Sequence, residues 1–407
     1  MRKLTVKNFS VIKEAELEFG KITVLIGPQS SGKSLLCKLA YFLSKEVLEI
    51  AVGRAQNEFE FSVFEEEVKK RFLDWFPRSG WGLDAWSARL TLNEYELTIS
   101  SPIIQFRDSS GPLSLVFCDE FRKVYRQQLA NARPWAKAMI HGAFSRLMGR
   151  AFWEGATYIP SERSYFVDTQ KGYRLLASQP DPIASRFAEL YADSLSSDIA
   201  KSRLSIHLKG ELVRGGDSWL FAFDDGRTLP LNLLSTGSKE LLPLLCALEI
   251  YAHRHREITL DDQYVPNVED AGRFDEFFIE EPEAHIFPKK QYEIVQYFAE
   301  MVNDRTLNST LTITTHSPYI LSSFNNLIEA DQVATDKPES KDEVARLIPE
   351  HYWIKSSDFR AYCIHDGVLE SIMDSETGLI SSNYLDSVSE TIGVEFDELL
   401  RLGYVRS

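Results

Sequence analysis

Residues 24–39 read VLIGPQSSGKSLLCKL, and inside them Gly27–Ser34 spell G-x-x-x-x-G-K-S. The pattern alone is short enough to arise by chance. Its context makes it specific: the β-branched run KITVLIG (21–27) precedes it, and apolar residues at helical spacing follow it to residue 50. Strand, glycine-bounded loop and helix in that order form a cradle for phosphates. Gly27 and Gly32 let the backbone turn tightly, so that successive N–H groups face an anion. Lys33 sets a point charge against the β- and γ-phosphates, and the Ser34 hydroxyl can coordinate Mg²⁺. The expected nucleotide-binding set is Gly27, Pro28, Gln29, Ser30, Ser31, Gly32, Lys33, Ser34 and Leu35.

A phosphate loop needs acids to handle its metal and water. DEFFIEEPEAHIF (275–287) supplies them: Phe277, Phe278 and Ile279 read as a buried strand, and Glu280 and Glu281 stand side by side at its end. Adjacent carboxylates at a buried strand end repel and desolvate each other unless a cation neutralises them. Glu280 is the expected metal holder, directly or through water, and Glu281 the residue that orients and polarises the attacking water. His316 ends a second β-branched strand, LTITTHSPYIL (311–321). Parallel strands of such a sheet end on one face, which places His316 beside Glu281 and within reach of the γ-phosphate.

A third stretch, LPLNLLSTGSKELLPLL (229–245), interrupts a leucine-rich run with Ser235, Thr236, Gly237 and Ser238. Small hydroxyl residues cap helices, and an open helix N-terminus suits an anion. An ordinary capped helix accounts for the pattern equally well.

Composition sets the frame. The chain has 407 residues, 44% of them hydrophobic and 12% aromatic, with a formal net charge of −15. That charge argues against a generally basic, nucleic-acid-coated protein. Cys37, Cys118, Cys246 and Cys363 form no CxxC pair, so neither a zinc site nor a disulfide framework is expected, and reduced thiols in the cytoplasm fit best. No apolar run reaches the roughly 20 residues that cross a bilayer. Against the acidic whole, residues 121–150 hold seven Lys and Arg and no acid, with Tyr125 and Trp135 interleaved. Such a patch could bind DNA or RNA, dock an acidic surface, or be a solvated helical lobe.

The expected organisation is an α/β core in two parts, 1–50 and 155–330, with an inserted helical and β lobe at 51–154. A charged linker at 331–345 and a small C-terminal α/β cap at 346–407 complete it, and 255–275 reads as an acidic irregular insertion. Within 203–231 alternating strands are joined by hairpin-type turns.

Taken together, LTVKNFSVIKEAELEFG (4–20), GPQSSGKS, LSTGS, FFIEEPEAH and TTHSP resemble the ABC-type ATPase heads of the SMC/Rad50/RecF and OLD-like group. The resemblance covers roughly 1–45 and 155–330. It implies a P-loop head that hydrolyses ATP with Mg²⁺. It also implies a head-to-tail dimer or higher homo-oligomer, in which Leu234–Ser238, the signature, closes over the γ-phosphate held by another copy. Thr236 and Ser238 depart from transporter signatures. TYIPSERS (157–164) falls where the family's Q-loop lies, with Ser161 or Glu162 in place of the glutamine. Phe9 is either a core residue or a stacking partner for adenine. Within the group, the short insertions and the tail are most similar to stand-alone ATPases of anti-phage systems of the Septu, PARIS or retron-associated type. That similarity implies a sensor that controls a separately encoded nuclease or toxin. OLD enzymes carry their own nuclease; the chain beyond His316 is expected to be too short for one, and His365-Asp366 is expected to be structural. A RecF-type ATPase acting on DNA and a nucleotide-gated scaffold are the alternatives.

Overall fold

The structure is a computed structural model, and it describes residues 2–102, 113–130, 137–148, 156–168, 181–196, 204, 207–216, 218–260, 275–304, 309–381, 394–396 and 401. Trp135 and most of the acidic insertion, 261–274, lie outside these residues.

The expected α/β class holds. Two alternating segments, β1 (Arg2–Phe9) and β2 (Ile12–Glu18), form an antiparallel hairpin, and ITVLI, buried from Ile22 to Leu25, forms β3 (Ile22–Ile26). Helix α1 (Lys33–Tyr41) runs through a π turn at Phe42–Glu46 into α2 (Val47–Gln56), so the first helix continues past residue 50. The π turn ends at Glu46, a buried carboxylate that pairs with Arg71 (3.0 Å) and Arg186 (2.5 Å). Helix α3 (Phe61–Trp75) precedes β4 (Trp86–Leu92), β5 (Tyr95–Ser101) and β6 (Ser114–Phe117), and α4 (Asp119–Ala130) and α5 (Lys137–Leu147) close the lobe.

The second part begins with β7 (Ala156–Ile159), α6 (Ser164–Asp168) and α7 (Pro182–Ser196), the last capped by the Asp181 carboxylate. A separate three-stranded meander comes next: β8 (Gly210–Gly215), β9 (Ser218–Phe223) and β10 (Thr228–Pro230). Its strands start at Gly210, because Leu204, His207 and Leu208 are helical. Then come α8 (Thr236–Leu260), β11 (Asp275–Glu280), α9 (Pro288–Asn303), β12 (Ser309–Thr315), α10 (Pro318–Asp336), α11 (Lys341–Leu347), β13 (Phe359–His365) and β14 (Val368–Ser371). Helices α9 and α10 each start at a proline, where a missing N–H costs nothing.

Among the described residues, eleven strands share one sheet in the order β6-β5-β4-β1-β2-β14-β13-β3-β12-β11-β7. From β13 to β7 all neighbours are parallel. Leu25 and Phe278 face the side covered by α1, α2 and the aromatic lobe, whereas Ile22, Val24, Phe277 and Ile279 face α7 to α10.

Three expectations change here. The supposed linker 331–345 is occupied by the end of α10, whose Ala330 and Ala334 are buried, and by α11, which buries no residue and carries its charge toward solvent. The supposed C-terminal cap gives β13 to the centre of the sheet, with Cys363 level with Ile26 on β3, and β14 to the contact with β2. The lobe's three strands are likewise no separate layer, since β4 pairs along β1 from Arg2 to Lys7. Alternation in a sequence shows that a strand is half-buried but not which strand it lies against.

The lobe is held by an aromatic cluster centred on Phe72, fully buried and within 6.1 Å (ring centroids) of Phe9, Phe42, Phe76, Trp81 and Trp86. Truncating it to alanine leaves a cavity between α3 and the sheet, for which about 3–5 kcal/mol is the usual cost. Urea unfolding of Phe72→Ala should show a loss of that size; a loss below about 1 kcal/mol would mean that the lobe collapses onto the gap.

Candidate functional site

The loop Gly27–Gly32 joins β3 to α1 at the carboxyl end of the parallel strands. A Cβ at Gly27 would lie 2.4 Å from the Ile364 carbonyl on β13, so only glycine allows that strand to approach the loop. No side chain caps α1 and no acid occupies its first turn, so its N–H groups at Lys33, Ser34 and Leu35 are open to an anion. Lys33 is 5% exposed and donates from Nζ to the carbonyls of Gly27 (2.7 Å) and Pro28 (2.8 Å), bracing the loop from inside. Burial pushes its pKa down, while the charges of Glu281 and Glu283 pull it back up. A phosphate in the loop would act in the same upward direction. The Ser31 hydroxyl is buried in this loop with no protein partner.

Glu281 and His316 come together as the sequence suggests. Strands β11 and β12 are parallel and level at Glu280 and Thr314, so the residues after them are neighbours, and Glu281 Oε1 lies 3.3 Å from His316 Nε2. Both side chains are about one-third exposed, on the loop's side of the sheet. Glu281 adopts φ 43°, an uncommon left-handed conformation for a side-chain-bearing residue. Its N–H donates to the Thr314 carbonyl (2.9 Å), which holds the turn.

Glu280 points to the α1 side and is 6% exposed. Tyr158 Oη on β7 donates to its Oε1 (2.6 Å), and the Ser161 N–H donates to its Oε2 (3.2 Å). Burial, then the Glu280 charge, push the Tyr158 phenol well above its ordinary pKa, so it remains a donor. Ser161 of the Q-loop position therefore reaches an acid, whereas Glu162 is exposed. The Ser161 hydroxyl also lies 3.5 Å from Oε2, so Oε1 is the oxygen that keeps a lone pair beyond these bonds.

The hydroxyl-rich tip is an N-terminus, as expected, beginning at Thr236. Ser235 caps it, its Oγ accepting from the Ser238 N–H (3.2 Å) and lying 2.9 Å from Ser238 Oγ. Ser235 and Thr236 are exposed. Gly237 is pressed on the turn after β11: a Cβ there would meet the His285 carbonyl at 2.8 Å.

Four residues escaped the sequence reading. Tyr158 looked like a core aromatic. Glu283 Oε1 accepts from Thr315 Oγ1 (2.7 Å) and from the His316 N–H (2.6 Å), while its Oε2 is buried with no hydrogen-bond partner. The third acid of EEPE was its only signal. Arg163 and Glu240, both buried, form an ion pair (Nε to Oε2, 3.5 Å). Nothing in SER or SKE marks them as interior.

The other candidates resolve differently. Phe9 is a core residue, 4.5 Å from the Trp86 ring, and not a free face for a base. His365 and Asp366 sit exposed at the β13–β14 turn, Nδ1 to Oδ2 3.3 Å. In the basic stretch, Tyr125 is buried, donates to the Phe59 carbonyl (2.9 Å) and has its pKa pushed to about 12 by burial; Arg122 pairs with Glu65. Tyr125 is therefore no stacking platform, but Lys123, Arg126 and Arg146 are exposed. The four cysteines are free. Among the described residues no helix is long and apolar enough to cross a membrane.

The fit to Mg²⁺ can be judged from charge. Glu240, Glu280, Glu281 and Glu283 surround Arg163, and Lys33 adds a second cation. Four carboxylates against two cations leave a negative excess that a divalent ion would neutralise. Among the described residues no group of three His, Cys, Asp or Glu side chains could hold a metal by itself. Phosphate oxygens would thus complete the shell, which suits Mg²⁺. Ser34 and Glu280 would be the residues to hold it.

Comparison with known proteins bears on this site. A family profile described as AAA ATPase domain matches residues 171–321, which include the hydroxyl tip, the acidic strand end and His316. No curated protein matches the chain. Among solved structures the chain is similar to the SMC head domain from Thermotoga maritima (11% identity, 91% of this chain and 97% of that one, TM-score 0.39). It is also similar to an SmcHead bound to the C-winged helix domain of ScpA (12%, 91% and 96%, 0.44) and to the recombination mediator RecF with ATP (10%, 91% and 98%, 0.37).

Replacing Tyr158 by phenylalanine removes the phenol donor from a buried carboxylate, a loss of about 1–3 kcal/mol. Thermal or urea unfolding of Tyr158→Phe should register it. An unchanged midpoint would show that Ser161 alone satisfies Glu280.

Proposed function

We propose that this chain is an ABC-type ATPase that closes over ATP as a head-to-tail dimer. The observation that carries the reading is the meeting of an open, lysine-braced phosphate loop with a Glu281–His316 pair on one edge of one sheet. Phosphoryl transfer requires positioning and charge stabilisation more than covalent chemistry. The loop N–H groups and Lys33 hold the phosphates, and Ser34 and Glu280 hold Mg²⁺, which supplies positive charge to the phosphate oxygens when bound. Glu281 accepts a hydrogen bond from the attacking water, and His316 holds Glu281 and the γ-phosphate in one geometry. Ser235 and Thr236, exposed on their own subunit, serve the other subunit's triphosphate, so neither site is complete in a monomer.

The cellular role we propose is that of a sensor whose slow hydrolysis times the hold on a separately encoded nuclease or toxin in anti-phage defence. It is supported by the motif resemblance described above. A RecF-like role on DNA is the second reading, favoured by the exposed Lys123, Arg126 and Arg146 of the lobe. DNA-stimulated hydrolysis by the purified protein would decide for it.

Glu281→Gln tests the site. The variant should bind ATP, lose roughly 10²–10³-fold in turnover and shift to a dimer in light scattering with ATP. Hydrolysis near the wild-type rate would remove Glu281 from the mechanism. A variant that keeps full function in cells would make turnover dispensable and favour a nucleotide-gated scaffold.

A further inference from the structure

Arg163 is fully buried, and every arm of its guanidinium is used. Nη1 donates to the carbonyls of Pro160 (2.8 Å) and Glu280 (2.7 Å), Nη2 to that of Glu281 (2.9 Å), and Nε to that of Glu240 (3.1 Å). The Glu240 carboxylate answers by accepting the backbone N–H groups of Arg163 (3.0 Å) and Ser164 (3.2 Å). Glu240 belongs to α8, one turn beyond the exposed Ser235 and Thr236. One side chain thus joins the helix that carries the hydroxyl tip to the backbone of both acids at the end of β11.

Stability alone does not call for such a group. A buried ion pair contributes little net stability, and well-packed apolar side chains of similar volume would tie the same elements together as firmly. What an arginine adds is direction: a rigid planar fork fixes several acceptors relative to one another. One of those acceptors is the carbonyl of Glu281, whose left-handed φ must be held by its surroundings. The contact of Gly237 with the His285 carbonyl gives the tip a second touch on the same turn, so α8 and the acidic turn move as neighbours.

We infer that Arg163 is a positioning residue through which the triphosphate engaged by the tip of α8, held in the other subunit, sets the geometry of this subunit's own Glu280 and Glu281. This rests on the dimeric ATPase reading and extends it. Each site would then respond to whether the opposite site is filled.

The test uses mixed dimers. An isotopically labelled chain carrying Lys33→Ala, which cannot hold its own nucleotide, is mixed with Glu281→Gln chain and ATP. In the labelled chain the tip, residues 236–242, should slow its amide exchange, and residues 278–283 should slow with it by about tenfold. Adding Glu240→Gln to the labelled chain should leave the tip protected and release residues 278–283. Protection at the tip alone in the first mixture overturns the relay, as does protection of both in the second. No protection at the tip in either overturns the dimer itself, a separate result. In the full homodimer, Arg163→Lys keeps the charge and loses the fork; kcat should fall about 10–100-fold with KM for ATP within about twofold. Should that variant fail to fold, Glu240→Gln is read in the same assay, and a wild-type kcat in either variant that folds overturns the proposal.

Discussion

The register of three parallel strands is the constraint on which the site depends. Thr315 lies beside Ile26, and Thr314 beside Glu280, so β3, β12 and β11 end together at one edge of the sheet. Phosphate loop, histidine and acids are far apart in the sequence, yet each sits at the carboxyl end of its own strand. Shifting one strand by a residue would exchange the side chains of its two faces. Leu25 packs into one core and Ile22, Val24, Leu311 and Ile313 into the other, so such a slip would misfit both, and the packing thereby sets the chemistry.

A cluster of charge sits at that edge. Buried carboxylates are costly unless met by donors or cations. Here the donors come from neighbouring strands and the turns after them: Tyr158 and Ser161 for Glu280, Thr315 and the His316 backbone for Glu283, Arg163 for Glu240. The Glu283 oxygen left without a donor and the negative excess around Lys33 belong to a surface that is incomplete by itself. Under the proposed function, such a site would take phosphate and metal together.

Much of this could be read from the residues. Strand–loop–helix at 21–50 places the phosphate cradle, and the pairing of Glu281 with His316 comes from two β-branched strands with polar ends. The hydroxyl tip was equally legible as a helix start. What could not be read depends on long-range pairing. FRAYCIHDG is a short strand that suits a peripheral cap as well as the sheet's centre, and only its register with β3 decides. The charges of 331–345 hid two helices because the buried Ala334 on α10 is the one apolar signal there, and α11 buries no residue. Arg163 was the least visible residue of all, since an arginine between Glu162 and Ser164 looks solvated until its acceptors, the backbone carbonyls of Pro160 and of Glu240, Glu280 and Glu281 in other segments, are in place.

The position of β13 has a consequence for how the protein is made. The phosphate-loop strand β3 leaves the ribosome well before its two neighbours in the sheet, β12 and β13, which lie at residues 309–315 and 359–365. Contacts that span so much sequence form late and slowly. During synthesis the loop therefore emerges with both flanks of its strand bare, and it becomes a nucleotide cradle only after residues 309–365 have arrived. Competence to cradle an anion between those strands is then gained only once that later part of the chain has been made.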